Sequence, residues 1–280
     1  MITGRVRPRL ASAAPARPWG RWSIRGAALI YLLALLIVPL MVIMVDGLRG
    51  GVGNLARAIT EPVALHALTL TLWTGALMAV INAVMGTLTA YVLVRYDFPG
   101  KALLNAIVDI PFAIPTLVTG VMLVILYGPQ SAMGGWLNRA LGLKVIFAPS
   151  GIILALLFSA FPFVVRAVQP VLLSLDRDQE EAAATLGARP WTVFRRVTLP
   201  AILPPIVTGT LLSFARAIGE FGAIVVVAGN LPLKSQTAAV YVFGEIESGN
   251  QRAASAMSVV MLLIAFSVVV GVEALQKKRQ

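Results

Sequence analysis

The chain has 280 residues, 58% of them hydrophobic and only 12% charged, with a mean hydropathy of +0.86. A soluble domain carries about 25% charged residues, so this chain lacks the polar surface of an ordinary soluble enzyme, a disordered protein or a secreted disulfide scaffold. With no cysteine and one histidine it has no thiolate, disulfide or histidine cluster to offer, and its net charge of +11 must be read by distribution before nucleic acid is invoked.

In a bilayer core of roughly 30 Å a helix needs about 20 apolar residues to cross, and six stretches qualify. Ahead of them, residues 1–25 form a tail of arginine, alanine and proline. The first span covers residues 27–45. Its apolar run is longer than a signal-peptide core and no small-x-small site follows Val45, so it reads as a retained helix. The second, residues 65–94, opens beside His66, which reads as an interfacial residue. The third, residues 103–127, is interrupted by Asp109, Pro111 and Pro115. Each proline removes a backbone donor and displaces a carbonyl, and irregular backbone in a membrane either lines a cavity or is buried in protein. Both a gate and a packing kink fit.

The fourth span covers residues 151–168. The fifth, residues 201–228, carries Arg216 and Glu220 four residues apart, and Ala215, Gly219 and Ala223 at the same interval. A charge at bilayer depth costs at least ~2.5–3.5 kcal/mol, so the two ions either neutralise each other or face a pathway. The small residues permit close helix approach. The sixth span covers residues 253–275.

Basic residues set the orientation. Arg5, Arg7, Arg9, Arg17, Arg21 and Arg25 precede span 1; Arg95 and Lys101 follow span 2; Arg166, Arg177, Arg189, Arg195 and Arg196 follow or edge span 4; Lys277, Lys278 and Arg279 follow span 6. That is sixteen on one side against six on the other: Arg49, Arg57, Arg139, Lys144, Lys234 and Arg252. The positive-inside bias puts both termini in the cytoplasm and accounts for the basic pI without nucleic acid. The only Gly-Lys pair, Gly100-Lys101, lacks the earlier glycine and following Ser/Thr of a P-loop, so no nucleotide site is expected. Nor is there a spacing that supports a nucleophile and base.

The loop between spans 4 and 5, within residues 171–200, is the informative segment. Asp178 suits a helix cap, Glu180 and Glu181 suit a first turn, and Ala182, Ala183 and Ala184 favour helix. Gly187 suits a left-handed stop, and Pro190 suits the first position of a second short helix. Such a helix–turn–helix would make a compact cytoplasmic knob suited to a partner's groove.

This loop is similar to the signature loop of bacterial ABC importer permeases. Glu181-Ala182-Ala183, then Gly187, Val197, Leu199 and Pro200, stand at that family's spacing, with Val197 in place of the usual isoleucine. Arg95–Lys101, Asp109–Thr116, Pro162–Leu172 and Ala215–Ala223 resemble the sulfate–molybdate branch, and Ala228-Gly229-Asn230 with Lys234 resembles its T-type sulfate/thiosulfate members. The resemblance covers about residues 25–275.

It implies an all-α type I ABC importer permease in the bacterial inner membrane. The tail would be residues 1–25; the first helix and periplasmic loop, 26–62; the transmembrane core, 63–275; and a cytoplasmic tail, 276–280. Glu181, Ala182, Ala183, Gly187, Val197, Leu199 and Pro200 would dock the ATPase subunit, one of a dimer that would hold ATP and Mg while this chain binds no cofactor. Arg216, Glu220, Asp109, Pro111 and Pro115 are candidates for the translocation path, although Asp109 would repel a dianion. The other expected partners are a second permease, W-type or another copy, and a periplasmic sulfate-binding protein. A molybdate or tungstate permease is the alternative inside the family, and an ion-driven secondary anion carrier the alternative outside it.

Overall fold

The computed structural model describes residues 18–277, with side chains described from 23 to 274. All regular structure in this range is helical. Residues up to Val45 and residues from Asp46 onward form two compact units. The first holds most of α1 (Ser23–Gly47), whose coil widens to a π turn at Leu33–Ile37. Leu29, Ile30, Leu35 and Val42 on this helix are exposed, as suits a segment solvated by lipid.

The second unit contains α2 (Val52–Thr60), α3 (Pro62–Arg95), α4 (Lys101–Ala113), α5 (Thr116–Tyr127), α6 (Ala132–Leu141) and α7 (Pro149–Ser174). These are followed by α8 (Arg177–Thr185), α9 (Pro190–Ile218), α10 (Gly222–Val227), α11 (Ala238–Glu247) and α12 (Gln251–Lys277). Helices α1, α3, α7, α9 and α12 are each long and apolar enough to cross a membrane, and α4 with α5 make a further crossing bent by 111°.

The core is built inside out relative to a soluble bundle. On α3 the buried stripe is mostly small or polar, with Ala67, Thr71, Thr74, Asn82, Gly86 and Ala90 beside the larger Leu70, Met78 and Leu93, while Trp73, Leu77, Val80, Val84 and Leu88 face outward. Small residues let helix backbones approach closely where lipid is as apolar as leucine. Val164 on α7 shows the result. A Cβ on Gly86 of α3 would come within 2.8 Å of Val164 Cβ, and one on Gly209 of α9 within 2.9 Å of Val164 Cα. Thus α3, α7 and α9 lock through one residue.

Helix direction follows from the contacts. Leu70 and Met78 of α3 cluster with Ile152, Leu156 and Ala160 of α7, whereas Ala90, Leu93 and Val94 cluster with Val164, Val168 and Leu172. Helices α3 and α7 are therefore parallel, and the chain between them must return across the bundle. The bent pair α4–α5 makes that return: Leu104 and Val108 pack with the Leu172 end, Leu123 and Val124 with the Val145 end. Ile202 sits with Leu172 and Ala217 with Ile152, so α9 runs antiparallel to α7. Met257 packs with Ala64, and Ser255 donates to Asp46 at 2.7 Å, so α12 starts at the end where α3 starts.

Three elements differ from the sequence reading. The fourth span continues to Ser174, so the loop after it is shorter than residues 171–200. The helix after Pro190 is not short; it is the start of α9, with a π turn at Phe194–Thr198. The fifth span stops at Ile218 instead of residue 228. There Glu220 Oε1 accepts the amide of Ala223 at 3.1 Å and thereby starts α10 rather than extending α9. Ala215, Gly219 and Ala223 consequently do not share one helix face. A Cβ on Gly219 would have no neighbour within this chain nearer than 4.0 Å.

Candidate functional site

Two places bring the sequence candidates together. The first is the knob between α7 and α9. Asp176, rather than Asp178, caps α8, accepting the amide of Asp178 at 3.0 Å. Thr185 hydrogen-bonds back to the Glu181 carbonyl at 2.8 Å. Gly187 then turns with φ +82°, a left-handed conformation strained for any residue with a Cβ. Glu181, Ala182 and Gly187 are exposed. So is Leu186, at 90% the most exposed large apolar side chain described, and Trp191 is exposed across the turn. Neither was singled out from sequence; both follow the apolar spacing of the loop but carry no charge or turn signal. Val197 and Leu199 lie at the foot of α9, half-buried, with Leu199 against the Leu172 cluster, so they support the knob rather than face outward. Pro200 is exposed.

Glu180 is half-buried where Glu181 is exposed. Its Oε1 accepts from Arg95 Nη2 at 2.9 Å and from Thr198 Oγ1 at 2.7 Å. Nearby, Lys101 donates to Asp97 at 2.8 Å and holds that exposed carboxyl below the usual carboxylate range.

The second place is a meeting of two helix breaks. Helix α4 ends at Ala113 and α5 begins after Pro115; α9 ends at Ile218 and α10 begins at Gly222. The breaks touch. A Cβ on Gly222 would lie 2.3 Å from Thr116 Oγ1, and one on Gly120 would lie 2.8 Å from the Ala223 carbonyl oxygen. Glu220 is buried here, 1% exposed, and Arg216 Nη1 stands 2.9 Å from its Oε2, with Arg216 itself 36% exposed. The contact is an ion pair by distance, although its angles do not make a hydrogen bond. Pro115 forms the α4–α5 break. Pro111 lies one turn earlier, inside α4 and on the wall of an apolar cavity of about 630 Å³ between α3, α4, α5 and α7.

Asp109 belongs to neither break. Arg166 of α7 grips it with two bonds, Nε to Oδ1 at 2.7 Å and Nη2 to Oδ2 at 2.6 Å. Arg166 also donates to Asn105 Oδ1 and the Asn105 carbonyl, both at 2.9 Å, and to Gln169 Oε1. Read from sequence as a loop-edge charge, Arg166 instead spends four bonds on α4 and one on Gln169 of its own helix, holding the half of the broken span before the bend against α7. Nothing in the one-dimensional spacing links residues 105, 109 and 166. Among the described residues no three His, Asp or Glu side chains converge as a metal site requires.

A family model for the binding-protein-dependent transport system inner membrane component matches residues 82–280. The chain is 41% identical over 257 residues to the probable sulfate transport system permease protein cysT of Zygnema circumcarinatum, covering 91% of this chain and 88% of that one. It is 38% identical over 252 residues to the sulfate transport system permease protein CysT of Synechocystis, covering 89% and 87%. Among solved structures, a bacterial alginate ABC transporter in complex with alginate pentasaccharide-bound periplasmic protein shares the fold. Its TM-score is 0.77 at 17% identity over 94% of this chain and 95% of that one. The MetNI methionine ABC transporter in an inward-facing form aligns with a TM-score of 0.55 at 18% identity over 79% and 99%. The chain belongs to the family of binding-protein-dependent transport system inner membrane components, and its fold is that of the type I ABC importer permeases.

Proposed function

We infer that this chain is a membrane-spanning subunit of an ATP-driven importer for sulfate and thiosulfate. The observation that carries the reading is the exposed knob, with Glu181, Ala182, Gly187 and the projecting Leu186, on a chain about 40% identical to sulfate permeases along most of its length. A motor without its own P-loop must receive its work from outside, and this knob is the surface on which an ATPase subunit would seat. The knob and both termini lie in the cytoplasm of a bacterial inner membrane. Two ATPase subunits, a second permease of the W-type or an identical copy, and a periplasmic sulfate-binding protein complete the complex. ATP and Mg are held by the ATPase subunits.

The paired breaks are the proposed path for the anion. Unwound backbone is tolerated at membrane depth where it lines a cavity. Arg216 supplies positive potential there, while its pairing with buried Glu220 prevents a free guanidinium from trapping a dianion; conduction needs binding weak enough to release. Pro115 keeps one break open, and Pro111 and Asp109 fix the approach of α4.

The test is reconstitution of the complex obtained by co-expression with candidate ATPase and permease partners. With the binding protein present, sulfate should stimulate ATP hydrolysis, and Glu181→Lys should weaken retention of the ATPase and lower uptake by roughly tenfold. Stimulation by molybdate and not sulfate moves the chain to the neighbouring branch. Uptake driven by an ion gradient with no ATPase bound overturns the reading.

A further inference from the structure

Helix α8 has little apolar hold on the rest of the molecule. None of its residues is buried. A cavity of about 400 Å³ lies between it and the ends of α3 and α9, with Tyr91, Arg95, Glu180, Phe194 and Thr198 in its wall and the exposed Glu181 at its edge. The aromatic packing here, Tyr91 against Phe194 and Phe194 against Trp191, joins α3 to α9 and leaves α8 out. What bridges the gap is polar. Arg95, the last residue of α3, and Thr198, at the end of the π turn of α9, both donate to one oxygen of Glu180. The Arg95 and Glu180 side chains are only 9% and 18% exposed, so this pair is screened far less than a surface pair. Arg177 adds only a contact of 3.5 Å to the Val94 carbonyl, at the limit of a hydrogen bond.

A helix that is pushed moves what it is attached to. From Arg95, α3 runs without a break to Gly75, where a Cβ would touch Phe214 at 3.2 Å, two residues before Arg216. We propose that Glu180 is the positioning residue of energy coupling: its carboxylate ties α8 to the feet of α3 and α9, so that displacement of the knob reaches the paired helix breaks through α3. Glu181 meets the motor; Glu180, its neighbour, passes the displacement inward. This rests on the reading of the knob as the ATPase dock, and it assigns a different task to a different residue.

The experiment uses the whole reconstituted importer with sulfate as the probe, and reads two quantities separately: ATPase retained on the complex, and sulfate imported per ATP hydrolysed. Glu180→Gln keeps the shape and an acceptor for Thr198 but removes the charge. It should leave ATPase retention unchanged and lower sulfate per ATP by roughly tenfold, the scale on which contacting charged groups couple. Exchanging the pair, Glu180→Arg with Arg95→Glu, should recover much of that ratio, which loss of fold alone would not allow. A wild-type ratio in Glu180→Gln, or no recovery in a well-inserted exchange variant, overturns the proposal. So does loss of ATPase from Glu180→Gln, which would put Glu180 in the docking face. Failure of the wild-type complex to retain any ATPase, or intact retention in Glu181→Lys, would instead remove the docking reading itself.

Discussion

At the scale of single residues, the charged side chains of the spans divide into those that hold structure and those placed where an anion could pass. Arg166 spends its donors on Asp109, Asn105 and Gln169, and has none to offer a substrate. Arg216 is different: one partner, Glu220, and an exposed remainder beside the break. Removing one member of a buried pair strands the other, at a cost of about 3–5 kcal/mol. The lower end applies here, because Arg216 itself is more than a third exposed. Arg216→Ala is therefore expected to destabilise the chain by about 3 kcal/mol, read as a fall in folded, membrane-inserted protein after detergent extraction. Neutralising both, Arg216→Ala with Glu220→Gln, should restore folding. Uptake then decides the role: a folded double variant that imports sulfate normally makes the pair structural, and one that imports poorly makes Arg216 the pathway charge.

At the scale of elements, the breaks matter more than the helices. Pro115 made the α4–α5 interruption legible from sequence, because a missing donor is visible residue by residue, whereas Asp109 and Pro111, read as further interruptions, lie inside the continuous α4. The end of α9 at Ile218 was not legible. The stretch from Ala215 to Ala228 is uniformly apolar and helix-compatible apart from two glycines and two ions, and only the Glu220 carboxylate folding forward onto the Ala223 amide shows that the helix restarts. The knob was legible in kind, since Gly187 and Pro190 mark a turn by their own stereochemistry. The direction of Glu180 was not, because adjacent carboxylates on a helix look alike until the ends of α3 and α9 are placed beside them. The contact between breaks gives an element-scale expectation. Gly222→Val would force its Cβ against Thr116 and the amide of Leu117, at 2.3 and 3.1 Å from an ideal position, and overpacking of this kind costs typically 1–3 kcal/mol. The two breaks should separate, with uptake falling several-fold while ATPase retention on the distant knob stays intact. Thr116→Ala, by opening the nearer clash, should recover part of the loss.

At the scale of the whole molecule, orientation rests on two independent lines, one electrostatic and one geometric. The sixteen-to-six basic bias groups the ends of spans 2 and 4 and the start of span 5 on one side, the cytoplasmic side in the proposed reading. The structure puts those three ends together by packing Leu93 and Val94 of α3, Leu172 of α7 and Ile202 of α9 in one cluster, and by tying Arg95 to Glu180. The opposite end gathers Ala64 of α3, Ala238 of α11 and Met257 of α12. Because α12 begins at that far end, its last turns must return to the end that bears the knob. This yields a topology in which residues 228–250 and the last turns of α12 lie on opposite faces, and in which the bent pair α4–α5 counts as a full crossing despite its 111° turn. Were that pair a re-entrant loop, α3 and α7 would have to run antiparallel, contrary to the pairing of Ala90 with Val168 and of Met78 with Leu156. Thiol labelling tests this directly, since the chain has no cysteine of its own. Single cysteines in place of Ser131, Lys234 and Asn250, between crossings, should react with an impermeant maleimide added to whole spheroplasts. Cysteines at Asp97 and Gln179 should react only after the membrane is opened. Labelling of Asp97→Cys and Ser131→Cys from the same face would remove the α4–α5 crossing and, with it, the parallel run of α3 and α7.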